Sequence, residues 1–223
     1  MTGVIFDFNG TLFHDSDKQE KAWQVFSEQV FHRRIEPEEF RLIVHGRNND
    51  FILNHLSGTP LTSGQICRYV EEKEAVYRDL CEADPIHTRL SADVILLLDE
   101  LKDRQIPCTI ATASPKVNLD YYIKKFHLDI WFDISKIIYN DGTIPGKPAP
   151  DFYLQAAKAI DVAPLHCIVF EDAVSGIRSA HDAGIGKIIA IAPKNRLADF
   201  EALPGVYDVI ANFNQFDRFL LRD

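Results

Sequence analysis

Residues 1–13, MTGVIFDFNGTLF, decide how the rest of the chain is read. Val4, Ile5 and Phe6 form a short apolar run, the pattern of a buried central strand. The run ends at Asp7, and Asn9, Gly10 and Thr11 then mark a turn. In an open α/β sheet the ligand crevice lies outside the carboxyl ends of the strands, so Asp7 is expected at the mouth of a site. Gly10 is expected where the backbone bends or approaches a ligand closely. Alone, the stretch reads equally well as a buried strand closed by a polar turn, since Asp and Gly are ordinary turn residues.

The next seventy residues change character. Asp15, Ser16 and Asp17 are helix-capping types, and Ala22, Val25, Phe26, Gln29 and Val30 recur at helical spacing beside Trp23. Pro37 with Glu38 and Glu39 makes a first helical turn that should run to Val44. Gly46 breaks it, and Asn48 caps a third helix through Ile52, Leu53 and Leu56. Thr62 with Gln65 is a capping box opening a fourth, toward Leu80. Residues 14–83 therefore read as four helices without a strand. From Leu90 onward helices and strands alternate: VILLLDELKDR after Ser91, a strand at 107–111, a helix from Pro115, strands at 137–139 and 167–170, helices at 151–160 and 173–183, and strands at 187–191 and 209–210. This alternation predicts a doubly wound, parallel α/β sheet made by residues 1–13 and 84–223, with an all-helical insertion at 14–83.

Composition narrows the function class. The 223 residues carry 24 Lys and Arg against 33 Asp and Glu, a formal charge of −9. Nucleic acid and anionic membranes are thereby disfavoured as main partners. A small anionic metabolite is not, because a local cluster or a bound cation reverses the field inside a cleft. Cys67, Cys81, Cys108 and Cys167 form no CxxC pair and suggest neither a zinc site nor a disulfide framework. No apolar run approaches the roughly 18 residues of a membrane span. The N-terminus lacks a basic region leading into an apolar segment, so a cytoplasmic monomer is expected.

Asp7, Thr112 and the Glu171–Asp172 pair each follow an apolar strand, so one sheet edge can gather them. Carboxylates brought that close repel one another, and a hard cation such as Mg²⁺ with oxygen ligands offsets the cost. The alternatives are that Asp172 caps its helix and Glu171 faces solvent. Thr112, with the backbone N–H groups of Ala113 and Ser114 before Pro115, suits a phosphate, or is a plain capping threonine. Lys147, held between Gly146 and Pro148, is aimed inward to neutralise phosphate or is a surface charge.

The four stretches DFNGT at 7–11, IATAS at 110–114, GKPAPD at 146–151 and FEDAVSGIRSAHDAG at 170–184 resemble, in order, the motifs of the haloacid dehalogenase superfamily. The likeness spans nearly the whole chain and is nearest to the β-phosphoglucomutase/phosphoglycolate-phosphatase branch, with its Rossmann-like core and helical cap. The resemblance implies a Mg²⁺-dependent hydrolase of a small phosphorylated metabolite, with Asp7 as the nucleophile that forms an aspartyl-phosphate. It implies that Thr112 and Lys147 bind phosphate together with Gly10, Thr11, Ala113 and Ser114. It implies that Asp7, Asp172, Glu171 and the carbonyl of Asn9 serve the metal.

Asn9 departs from the pattern, which carries an aspartate there as acid and base. An amide cannot move that proton, a loss typically costing about 10²–10⁴ in rate. A slow phosphatase, a substitute group (His14, Asp15 or Asp17), a non-catalytic binder and an engineered trap all remain open. Phosphonatases need a cap lysine, and none lies between Lys21 and Lys73. Dehalogenases differ in the second and fourth motifs. HGRNN, residues 45–49, resembles the family's specificity loop, where Arg47 grips a second anion or is merely solvated. Gln19 stands where the mutase carries a histidine, which weakens the mutase alternative. Asn118 is expected to reach substrate hydroxyls or to face the cleft.

Overall fold

The computed structural model describes residues 1–222. Its centre is a six-stranded, all-parallel sheet in the order β3-β2-β1-β4-β5-β6. The strands are β1 (Gly3–Phe6), β2 (Cys108–Pro115), β3 (Ile138–Asn140), β4 (Cys167–Glu171), β5 (Lys187–Ile191) and β6 (Val206–Ile210). The apolar run at 3–6 is central because both of its edges are paired: Phe6 lies beside Ile110 on β2 and beside Phe170 on β4. Strand order reverses between β1 and β4, and such switch points are where open α/β sheets leave a ligand crevice.

Side chains alternate across this sheet and build two cores. Val4, Phe6, Ile110, Ile168, Phe170 and Ile189 point to one face, where they meet α5 (Ala92–Asp103) and α6 (Lys116–Phe126). Ile5, Ala111, Val169, Ile188 and Ala190 point to the other, against α7 (Asp151–Ala159) and α8 (Val174–Asp182). With both faces covered, the strands need no polar side, which is why they read as unbroken apolar runs. On the first face Phe170 stacks on Phe6 at 5.2 Å between centroids and touches Phe213 at 5.1 Å and Phe216 at 4.8 Å.

Between β1 and α5 the chain is helical: α1 (Ser16–Phe31), α2 (Pro37–Glu39), α3 (Asn49–Ser57) and α4 (Ser63–Ala83). Trp23, Phe26, Ile35, Phe40, Val44, Ile52, Leu53 and Leu56 give these helices a hydrophobic cluster of their own. The Thr62–Gln65 capping box forms in both directions at the start of α4. The last helix, α9, is the short Leu197–Glu201. Among the described residues no helix is long and apolar enough to cross a membrane.

Two elements differ from the sequence reading. The helix expected over 37–44 widens after Glu39 into a π-turn, Phe40–Val44, and His45 N–H bonds Phe40 O at 3.0 Å. Strand β2 continues past Ala111 to Pro115, because β3 pairs alongside it as far as Asn140 through a register shift. The backbone at Thr112–Ser114 is therefore strand rather than turn. Phe170→Ala is expected to cost about 3–5 kcal/mol, from lost burial and an unfilled cavity among three phenylalanines. Urea denaturation of the variant beside the parent measures it.

Candidate active site

Strands β1 and β4 end side by side, with Asp7 N–H bonded to Phe170 O at 3.0 Å. That register brings Asp7, Glu171 and Asp172 together, and ligand oxygens from all three lie within 4.8 Å of one another. Lys147 enters from the loop before α7 and is 2 % exposed. Its Nζ donates to Asp7 Oδ1 at 2.7 Å, Glu171 Oε1 at 2.7 Å, Ala111 O at 3.1 Å and Tyr153 OH at 3.1 Å. Glu171 is fully engaged: Oε1 also accepts from Tyr153, and Oε2 accepts from Ala173 N–H. Among the described residues, Asp172 receives only the Thr11 hydroxyl, at 3.4 Å.

The electrostatics follow from this crowding. Burial pushes the Asp7 carboxyl up to about 7, with Lys147 pulling it down and Glu171 pushing further up. Burial, then Glu171 and Asp7, raise Asp172 well above the ordinary carboxylate range. Burial alone would lower the Lys147 ammonium, but Asp7 and Glu171 outweigh it and hold it above its ordinary value. One ammonium thus faces three carboxylates. Asp7 and Asp172 keep oxygens to spare, and a hard divalent cation with oxygen ligands fits such a donor set.

Asn9 sits at the edge of this group with its amide wholly used. Nδ2 donates to Asp15 Oδ2 at 2.7 Å and Tyr122 OH at 2.9 Å, and Oδ1 accepts from Ser114 Oγ at 2.7 Å. Asp15, buried completely, also accepts from Gly10 N–H, Gln19 and Tyr77. Of the three substitutes the sequence suggested, Asp15 alone reaches the cleft. His14 bonds Gly10 O and lines a different groove, and Asp17 is exposed.

A cleft opens above the strand ends. Asp7, Asn9, Gly10, Ala113, Ser114 and Asp172 line its core side, and Arg47 lines the helical side. Gly10 has φ +81°, and a Cβ there would lie 2.0 Å from Asp172 Oδ2, so the close approach expected of this glycine is to a carboxylate of the site. The Thr112 hydroxyl is buried beneath this surface and accepts from Ser114 N–H at 3.1 Å. Arg47 stacks over Phe51 at 3.8 Å, and its buried Nε lacks a hydrogen-bond partner among the described residues.

Two expectations are corrected. Asn118 does not offer its side chain to the cleft: it is fully buried, donates to Glu74 Oε2 at 2.6 Å and accepts from Arg78 Nη1 at 3.1 Å. Its position on α6, facing α4, makes it a joint between the two parts of the fold. The second correction concerns lysine in the helical part. Lys73 on α4 is 1 % exposed and lines the cleft with Gln19, Trp23, Asn49 and Glu74. Burial lowers its ammonium from the ordinary lysine value, with Glu74 opposing. Sequence reasoning missed both Lys73 and Glu74, because charges within a helical pattern read as a solvated face. Thr62 and Gln65 fix where α4 starts, but not what faces it.

The comparisons agree with this geometry. Residues 1–184 match the model of the haloacid dehalogenase-like hydrolases. A phosphorylated carbohydrates phosphatase of Thermotoga maritima is 27% identical over 214 residues, covering 91% of this chain and 90% of that protein. The β-phosphoglucomutase of Bacillus subtilis is 28% identical over 195 residues, covering 83% and 81%. Among solved structures, a family IA, variant 3 hydrolase of Entamoeba histolytica superposes with a TM-score of 0.87 at 39% identity, covering 99% of this chain and 97% of that one. A sheet that reverses at β1/β4, carboxylates at those two strand ends and a match over most of the chain have one explanation: the chain belongs to the haloacid dehalogenase-like hydrolase family, in the branch that includes β-phosphoglucomutase.

Proposed function

We propose that this chain is a Mg²⁺-dependent phosphomonoesterase for a small, phosphorylated, carbohydrate-like metabolite, acting through an aspartyl-phosphate on Asp7. The observation that carries the reading is the Asp7 carboxylate at the end of β1, held at 2.7 Å by Lys147 beside Asp172. The names of the relatives support it, and so does a cleft lined by convergent polar side chains. In this reading residues 14–83 form the cap that closes over the core of 1–13 and 84–223.

Asp7 and Asp172, with the carbonyl of Asn9, would hold Mg²⁺, which supplies positive charge and orientation to the phosphate. Glu171 spends its oxygens on Lys147, Tyr153 and Ala173, and so positions the lysine and supports the metal side from behind. Lys147 neutralises a phosphate oxygen, and the Ala113 N–H orients another. With Oδ1 held by Lys147, the other Asp7 oxygen attacks phosphorus. The Asp7–phosphorus bond forms as the bond to the leaving oxygen breaks, that oxygen taking a proton from solvent water; water then attacks phosphorus, gives its proton back to solvent, and releases phosphate and the Asp7 carboxylate.

Asn9 cannot protonate the leaving oxygen, and Asp15 already accepts hydrogen bonds from four groups. Turnover is therefore expected to be slow, about 10²–10⁴ below that of a site with a positioned acid. A second reading, a metabolite-binding protein without turnover, draws on the complete engagement of the Asn9 amide.

Phosphate release from a panel of small sugar and polyol phosphates should be slow, should vanish with EDTA and return with Mg²⁺. In Asp7→Asn it should fall below detection. Saturable binding of the same esters with no release from the parent or from Asn9→Asp would favour the binding reading instead.

Asn9→Asp should raise phosphate release at least about tenfold. The same change should cost about 1–3 kcal/mol of stability at pH 7, since an acceptor replaces the donor that faces Asp15 and Tyr122. The deficit should narrow as pH falls, because protonation of the new carboxyl restores a donor. Denaturation curves at pH 7 and pH 5 measure this.

A further inference from the structure

The helical wall of the cleft holds a charge pair that phosphoryl transfer does not use. Lys73 Nζ donates to Gln19 Oε1 at 2.7 Å and to Glu74 Oε1 and Oε2 at 3.1 and 3.2 Å. Those contacts take up the three protons of the ammonium. Both side chains are 2 % exposed, so solvent does not screen the pair. Glu74 is fixed from two further directions, by Asn49 Nδ2 on Oε1 and Asn118 Nδ2 on Oε2, both at 2.6 Å. Asn118 belongs to α6, so the core itself sets where this carboxylate stands.

We propose that Glu74 is a specificity-determining residue: by matching the Lys73 charge it reserves this wall for an uncharged, hydroxyl-bearing leaving group and turns away one that carries a second phosphate. The inference rests on the phosphate-ester reading above. A lone buried ammonium facing the cleft would attract a second phosphate. Paired with Glu74, the wall carries no net charge, and a second anion reaching Lys73 also meets a carboxylate. Like-charge contacts of this kind are strongly disfavoured in a desolvated site. The remaining surface suits hydroxyl groups. Gln19 and Asn49 provide amides, and Trp23, whose ring lies 4.7 Å from Lys73 Nζ, provides an apolar face. Arg47 also lines the cleft; it is common to parent and variants and cancels in a comparison of them, while the parent's own preference shows whether the paired wall outweighs it.

The test compares glucose 6-phosphate with glucose 1,6-bisphosphate, in the presence of Mg²⁺, on the parent, Glu74→Gln and Lys73→Met/Glu74→Gln. Phosphate release gives kcat/KM, and calorimetry gives Kd for both probes. The parent should favour the monophosphate. Glu74→Gln keeps the side-chain shape and one acceptor, and should move the preference toward the bisphosphate by at least about tenfold, through KM and Kd. The double variant should reverse that shift. A parent that prefers the bisphosphate overturns the proposal even if a variant fails to fold. So does an unchanged ratio in folded Glu74→Gln, or a shift that survives removal of Lys73. If none of the proteins releases phosphate while the Kd values follow the expected order, the hydrolase reading has failed and the role of Glu74 stands.

Discussion

The packing of three acidic side chains against one buried ammonium at the ends of β1 and β4 is the constraint on which the rest of the structure depends. Parallel pairing of adjacent central strands brings Asp7, Glu171 and Asp172 together. Removing charge from water at this site costs several kcal/mol per ion, offset only by close geometry and saturated hydrogen bonds. Lys147 provides that geometry, with Tyr153 and Ala173 completing the shell of Glu171. Two glycines owe their identity to the same crowding. A Cβ on Gly10 would lie 2.0 Å from Asp172, and one on Gly176 would lie 1.6 Å from Glu171 Oε1. The motif glycines are therefore space kept clear for carboxylates.

That constraint is affordable because the sheet beneath it is apolar on both faces. The strands carrying Asp7 and Glu171 are buried from end to end, and the aromatic contacts of Phe6 and Phe170 tie them to each other and to Phe213. A rigid base holds the acidic groups where mutual repulsion would otherwise drive them apart. The helical part has its own cluster around Trp23, Phe26 and Leu53, and meets the rest through apolar packing of Ala22, Tyr77 and Cys81 and through polar contacts: Tyr77 to Asp15, and Glu74 and Arg78 to Asn118.

The sequence disclosed groups that sit where secondary structure ends. Asp7, Glu171 and Asp172 follow apolar strands, Lys147 lies in a proline-bounded loop, and Thr62 with Gln65 opens a helix, so local pattern located each of them. It did not disclose groups inside helices whose partners are distant in the chain. Lys73 and Glu74 look like two solvated charges on α4, and only the packing of α1, α3 and α6 around them makes them a buried pair with Gln19, Asn49 and Asn118. Asn118 was misjudged for the same reason, because its helix was legible and its neighbour across the joint was not. Among His14, Asp15 and Asp17, direction depended on the turn geometry after Phe13, which composition does not specify.

Asn9 brings these strands of argument together. Its amide faces a carboxylate with its N–H groups and a serine hydroxyl with its oxygen, and the opposite orientation would set oxygen against oxygen at Asp15. The partners come from every part of the fold: Asp15 from the chain entering the helices, Ser114 from β2 and Tyr122 from α6, with Tyr77 of α4 meeting the same Asp15 oxygen. An acid at position 9 would have to share a proton with Asp15 in order to sit there. The surroundings are thus matched to an amide. In the proposed phosphatase reading, the side chain at position 9 ties the helical segment to the sheet where an acid would serve proton transfer, and stability gained in this way is characteristically offset by rate.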